Sequence, residues 1–163
     1  RKYIGTPYRR GSKGPNRFDC SGFMQYIFNH FSYSLNASSA SQYLQGISVK
    51  DEEICRGDLV FFKGRNSRRS NVRHVGLVTE VYPDGRFKFI HASTSQGIRE
   101  DWNFSPYYAQ RYAGARRIYF VQIDKRLILD AILELEDIDD NTPFTETEKS
   151  ITPQEFSTFV RAE

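Results

Sequence analysis

The chain has 163 residues, 39% hydrophobic and 26% charged, which suffices for one core and falls short of two ordinary domains. No apolar run reaches the roughly 20 residues of a membrane span; the longest candidate, Leu127 to Leu135, contains Asp130 and Glu134. The net charge of +3 conceals a division: residues 1–123 carry 19 lysines and arginines against 9 acids, residues 124–163 carry 4 against 11, so the basic body admits nucleic acid, membrane surface or anionic cell wall as partners.

The chain opens at Arg1 without an initiator Met or a signal-type apolar stretch, so a leader or preceding segment is expected to have been removed, with a lipid anchor on it as one possibility. Glycines and prolines break up the first 18 residues, and GSKGPNR reads as an irregular loop leading to Asp19. A helix follows, with Phe23, Met24, Ile27, Phe28 and Phe31 on one face, Asp19 as its N-cap and Cys20 in its first turn. SASQYLQ at 39–45 reads as a second, short helix, and LVFF at 59–62 as a buried strand. Residues 63–73 form a polar loop carrying Arg65, Arg68, Arg69 and Arg73.

HVGLVTEVY, then PDG, then RFKFIHAS make a hairpin of two antiparallel strands over 74–92. The segment from Ser93 to Gly114, rich in Tyr, Ser and Asn, reads as a long surface connection, ending at a strand near 115–123. Beyond Asp124 two amphipathic helices are expected, one on Leu127, Ile128, Ala131, Ile132 and Leu135, the other from Thr152–Pro153 through Phe156, Phe159 and Val160. The domain reading is a body of 1–123 and an acidic helical extension of 124–163.

Two cysteines exclude a multi-disulfide scaffold. Cys55, at a strand approach, reads as a buried structural thiol. Cys20 differs, because unsatisfied N–H groups and the positive end of a helix favour thiolate over thiol. Small Ser21 and Gly22 leave room for a carbonyl, toward whose developing oxyanion the Cys20 N–H can donate. A nucleophilic thiol needs a base, and three histidines exist: His30, His74 and His91. His30 lies ten positions along the same helix, about 15 Å away, so it is a surface residue. His74 and His91 stand at the open end of the hairpin. A turn centred on Asp84 and Gly85 puts His91 opposite Val78, on the face of His74 but about 13 Å along the ladder. A bulge, strong twist or three-residue loop would shorten that gap. His74 would then take the thiol proton while His91 holds its other nitrogen. A zinc site from Cys20, Cys55, His74 and His91 lacks any CxxC or HxxxH pair.

The strings GTPYRRGSKGPNRFDCSGF at 5–23, GDLVFF at 57–62, RHVGLV at 73–78 and FIHASTSQGI at 89–98 resemble, in order and spacing, the signature blocks of the NlpC/p60 family of bacterial cell-wall endopeptidases. PYYAQRYAGARRI at 106–118 is most similar to the Spr-like murein endopeptidase branch. The resemblance covers residues 3 to about 120. It implies a papain-like α+β fold, a Cys-bearing helix packed on a small antiparallel sheet, here with a C-terminal helical extension. It implies Cys20 as nucleophile, His74 as general base and His91 as orienting member, with no cofactor and no metal. It further implies that Tyr8 lines the site, and that Asp19 and Ser21 help hold the substrate's polar groups, a role that for Asp19 stands beside that of a plain helix cap. The implied substrates are peptidoglycan peptide stems or cross-links containing D-amino acids and diaminopimelate, and the implied location is the cell envelope or outside the cell. Arg73, with Arg9, Arg10, Arg17, Arg116 and Arg117, is a candidate contact for such an anionic polymer. LNASSASQY at 35–43 departs from the family pattern, and residues 124–163 have no counterpart in it. The competing readings are a catalytically silent wall-binding module of the same fold, and a nucleic-acid binder, which lacks any recognition motif.

Overall fold

Residues 2–64 and 71–119 are described by the structure, a computed structural model. The chain separates into two units, and the described residues lie in the first, Arg1–Phe120. The helices expected in 124–163, and Arg65, Arg68 and Arg69 of the polar loop, lie outside the described residues.

The first helix, α1 (Cys20–Asn29), begins where Asp19 stops the loop before it. Oδ1 of Asp19 accepts the Gly22 N–H at 2.6 Å and Oδ2 accepts the Gly11 N–H at 2.7 Å, so one carboxylate caps the helix and anchors the preceding loop. Gly22 permits this close approach: a Cβ there would lie 2.3 Å from the Ser12 carbonyl oxygen. The helix buries Phe23, Met24 and Phe28, whereas Phe31 falls past its end and is 64% exposed. Fully buried Phe18 packs edge-on against Tyr3, Phe23 and Tyr26, with ring centroids 5.7, 5.0 and 5.2 Å away. A Phe18→Ala truncation would cost about 3–5 kcal/mol. His30 is exposed at the far end of the helix, its Nδ1 2.7 Å from the Tyr26 carbonyl. A single-turn helix, α2 (Ser39–Gln42), is closed by a capping box from Ser38.

Six antiparallel strands form one sheet in the order β1 (Ile47–Val49), β6 (Tyr112–Arg117), β2 (Leu59–Lys63), β3 (Val72–Val81), β4 (Phe87–Ser93), β5 (Gly97–Trp102). LVFF is continuously apolar because both faces of β2 are covered. Leu59 and Phe61 join Phe23, Met24 and Val75 on the face against α1, while Val60 and Phe62 join Val78, Phe87 and Phe89 on the other. The α+β class and the cysteine-bearing helix on an antiparallel sheet agree with the sequence reading.

Three expectations are corrected. The Ser93–Gly114 connection contains β5 and a short helix, α3 (Pro106–Ala109); β5 pairs along its whole length with β4, so backbone hydrogen bonding, with little apolar patterning to announce it, sets this edge strand. The last strand starts at Tyr112 and ends at Arg117, earlier than placed. Cys55 is exposed, not buried. Its N–H donates to Asp58 Oδ2 at 2.8 Å in a turn whose neighbouring Ile54 takes the buried position. Asp58, 1% exposed, is paired by both Arg117 Nε at 2.8 Å and Arg117 Nη2 at 2.9 Å. Arg116 lies 4.0 Å over the Tyr43 ring and donates to Tyr43 O and Ser48 Oγ. Both arginines thus tie β6 to its surroundings.

Candidate active site

Side-chain alternation places His74, Gly76 and Val78 on one face of β3, and His91 with Phe87 and Phe89 on the same face of β4. The hairpin register brings the histidines together in two steps. The turn is a three-residue loop, Pro83 to Gly85, bounded by the Tyr82 N–H donating to Arg86 O at 2.8 Å. A bulge between Val78 and Glu80 adds one further residue to β3. Val78 therefore faces Phe89, not His91. Beside His91 stands Gly76, where a Cβ would lie 3.3 Å from His91 Cβ and 2.6 Å from the Phe89 ring. With no side chain in that space, the His91 ring meets His74: Nε2 of His74 and Nδ1 of His91 are 2.9 Å apart, the rings nearly perpendicular at 83°.

The line of hydrogen bonds continues past the two residues foreseen. His91, fully buried, directs Nε2 to Oδ2 of Asp101 at 2.8 Å. Arg99 Nη2 holds the other oxygen of Asp101 at 2.5 Å, and the Tyr108 hydroxyl, 3.2 Å from His91 Nε2, lies beside the same carboxylate and favours its anion. Burial works to raise the Asp101 carboxyl, but the hydrogen bond from His91, with the neighbouring His91 and Arg99 also favouring the anion, outweighs it and leaves the group below its ordinary value. Burial pushes the Tyr108 phenol up, with Asp101 adding to the shift, so it stays a donor. An ionised carboxylate only accepts. His91 therefore carries a proton on Nε2; in its neutral form it accepts on Nδ1, so that His74 donates from Nε2 and has its lone pair on Nδ1. Asp101, Arg99 and Tyr108 escaped the sequence reading because they lie inside the segment taken as a connection. The alternation of Arg99 and Asp101 two residues apart was the signal available.

Cys20 packs among the residues on the α1 side of the sheet. Its sulfur rests against the peptide groups on either side of His74, 3.9 Å from the Arg73 carbonyl oxygen and hydrogen-bonded by the Val75 N–H. Among the described residues no hydrogen bond joins it to the His74 ring. Burial first, then the Asp19 carboxylate, push the thiol up to about 11, against the N–H groups of Ser21, Val75 and Cys20 itself. The helix start thus acts in the expected direction and is outweighed, so the resting thiol is protonated. Burial and the neighbouring His91 lower His74 to about 3, with Asp101 opposing, so its imidazole is neutral.

Tyr8 adjoins the thiol, its phenol raised by burial and by Cys20 and Asp19. Buried Ser21 donates to Asp19 Oδ1 at 3.2 Å. Arg73 is exposed and borders a cavity of about 650 Å³ that opens beside His74 and is also walled by Phe62, Tyr107 and Tyr108. Among the described residues no group of three or more His, Cys, Asp or Glu is arranged to hold a metal.

The family model of NlpC/P60 matches residues 5–117. Over 118 residues the chain is 36% identical to the probable endopeptidase NlpC homolog of Haemophilus influenzae, covering 72% of this chain and 58% of that protein. Over 115 residues it is 37% identical to the murein DD-endopeptidase MepS/murein LD-carboxypeptidase of Escherichia coli, covering 70% and 56%. The crystal structure of an NlpC/P60 family protein from Bacillus cereus is similar with a TM-score of 0.63 at 30% identity, over 71% of this chain and 36% of that one. The chain spans little more than half the length of these two curated relatives.

Proposed function

This chain belongs to the NlpC/P60 family, and from that premise we propose that it is a cysteine peptidase acting on peptide stems or cross-links of peptidoglycan in the bacterial envelope or outside the cell. The observation that carries the reading is the line Asp101, His91, His74, which ends on a residue whose own flanking peptide groups cradle the Cys20 sulfur. Catalytic hydrogen bonds are often long before substrate arrives, and closure of the gap between Sγ and Nδ1 belongs to the first step.

In that step Nδ1 of His74 takes the thiol proton as Sγ attacks the substrate carbonyl carbon. The oxyanion that forms is received by the Cys20 N–H at the helix start. Collapse breaks the C–N bond, the amine leaves with the proton from His74, and a thioester remains on Cys20. Water, giving its proton to His74, hydrolyses the thioester and regenerates the thiol. His91 holds the tautomer and supports the positive charge that His74 acquires. Tyr8 borders the thiol, Ser21 and Asp19 hold the helix start in place around it, and Arg73 stands at the mouth of the adjoining cavity. The substrate class follows the names of the relatives, one of which is a murein DD-endopeptidase; a D-alanyl to diaminopimelate cross-link is favoured over a γ-D-glutamyl to diaminopimelate bond.

The test is digestion of purified muropeptides with mass analysis of the products, parent against Cys20→Ala. New termini at one bond with the parent and none with the variant are expected. Binding of the muropeptides without any change of mass would replace this reading by that of a silent wall-binding module.

A further inference from the structure

The cavity beside His74 is unequally charged. Lys63, Arg73, Arg99 and Arg111 border it, against the single carboxylate of Asp101. Asp101 is already engaged by Arg99 and His91. Among the described residues the side chains of Lys63 and Arg73 make no hydrogen bond or ion pair. Arg111 is held in place, among the described residues, without any anion: its Nη1 donates to the Tyr107 carbonyl at 2.8 Å, its guanidinium lies 4.0 Å over the Tyr107 ring, and its buried Nε has no partner there. Among the described residues three cations, Lys63, Arg73 and Arg111, thus border one space without a carboxylate partner of their own, one of them oriented by stacking, a geometry suited to a carboxylate.

The position of the cavity gives the charge a meaning. His74 is part of its wall and Cys20 is not. Resting on the cysteine peptidase reading, the group that protonates the departing amine is His74, so the fragment bearing that amine leaves on the side of His74. We infer that the cavity is a subsite for a carboxylate carried by the amine-side fragment of the substrate, with Arg111 and Lys63 as its specificity-determining contacts.

The experiment compares two cross-linked muropeptides that differ only in whether the carboxyl nearest the departing amine is free or amidated. The parent is expected to favour the free carboxylate in kcat/KM by on the order of 10- to 100-fold, as one charge-assisted hydrogen bond allows. In Arg111→Gln and in Lys63→Gln the loss falls on the carboxylate peptide, so the ratio drops toward one, and high salt lowers it in the parent. Equal rates on the two peptides, or variants that reduce both equally, would overturn the subsite. Calorimetric binding of the isolated amine-side fragment, as carboxylate and as amide, to Cys20→Ala separates this inference from the peptidase reading. Preference for the carboxylate without turnover by the parent leaves the subsite standing and removes the peptidase; no preference in binding removes the subsite whatever the turnover.

Discussion

His91 and Asp101 stand 2.8 Å apart, imidazole Nε2 to carboxylate Oδ2, with the imidazole fully buried. The carboxylate accepts, so it decides which nitrogen of His91 is protonated and, one ring further, which nitrogen of His74 is free. An Asp101→Asn side chain can present an N–H to the same atom and reverse both tautomers. The expected result is a fall in kcat on the order of 100-fold or more with little change in KM, while circular dichroism and thermal melting show a folded protein. A fall of less than threefold would sink the positioning role.

The neutral thiol and neutral imidazole carry a signature in pH. With Cys20 raised to about 11, alkylation of this thiol by iodoacetamide in a Cys55→Ser background should keep climbing from pH 8 to pH 10. With His74 lowered to about 3, its base form persists in acid, so kcat/KM should hold at pH 5, where an ordinary histidine would be protonated. Alkylation already at its plateau by pH 7 would mean an ionised thiol at rest.

His74 also ties stability to pH. Its value in the fold, about 3, lies below the ordinary 6.5, so above pH 6.5 neither state binds a proton there and its full contribution is present. As pH falls from 6.5 toward 3 the unfolded chain takes the proton first, and stability declines. Asp101, lowered from 3.8, adds its own decline only at the acid end of that range. Melting temperature should therefore fall between pH 7 and pH 4.5, and His74→Gln should flatten the slope; an equal slope in the variant would refute the assignment.

Gly76 is where the two rings obtain their space. A methyl group in Gly76→Ala would sit 2.6 Å from the Phe89 ring and 3.3 Å from His91 Cβ, prising β4 away from β3. Overpacking of this kind costs about 1–3 kcal/mol. Activity should fall further than that loss of stability explains, because the contact between His74 and His91 is what shifts. Wild-type turnover in a variant with lowered melting temperature would show that the pair tolerates the displacement.

Helical spacing from Phe23 to Phe28, the cap at Asp19, the run LVFF and the turn residues Pro83 to Gly85 made α1, β2 and the hairpin legible, because each rests on local chemistry. The register was less so. A turn centred on Asp84 and Gly85 sets Val78 against His91, and the actual pairing needed both a longer loop and a bulge, neither of which leaves a mark in residue type. The strand β5 was hidden because it is an edge strand on which Gly97 and Ile98 alone are buried, so it lacks the alternation that reveals a half-buried strand. Asp101 was hidden with it. The sign of the Cys20 shift depended on how deeply the fold buries the sulfur, which spacing along a helix does not encode.

The segment ahead of Tyr8 is laid along β5, with the Gly5 N–H donating to Ile98 O at 2.8 Å and the Ile98 N–H donating to Thr6 O at 2.9 Å. Gly97 makes the fit possible, since a Cβ there would lie 2.3 Å from the Thr6 carbonyl oxygen. The chain thereby fastens the stretch that runs into Cys20 onto the ribbon that carries Asp101. Under the proposed mechanism, trimming a handful of leading residues would disturb the surroundings of Cys20 and of Asp101 in one cut, so the boundary chosen when expressing this protein would itself bear on turnover.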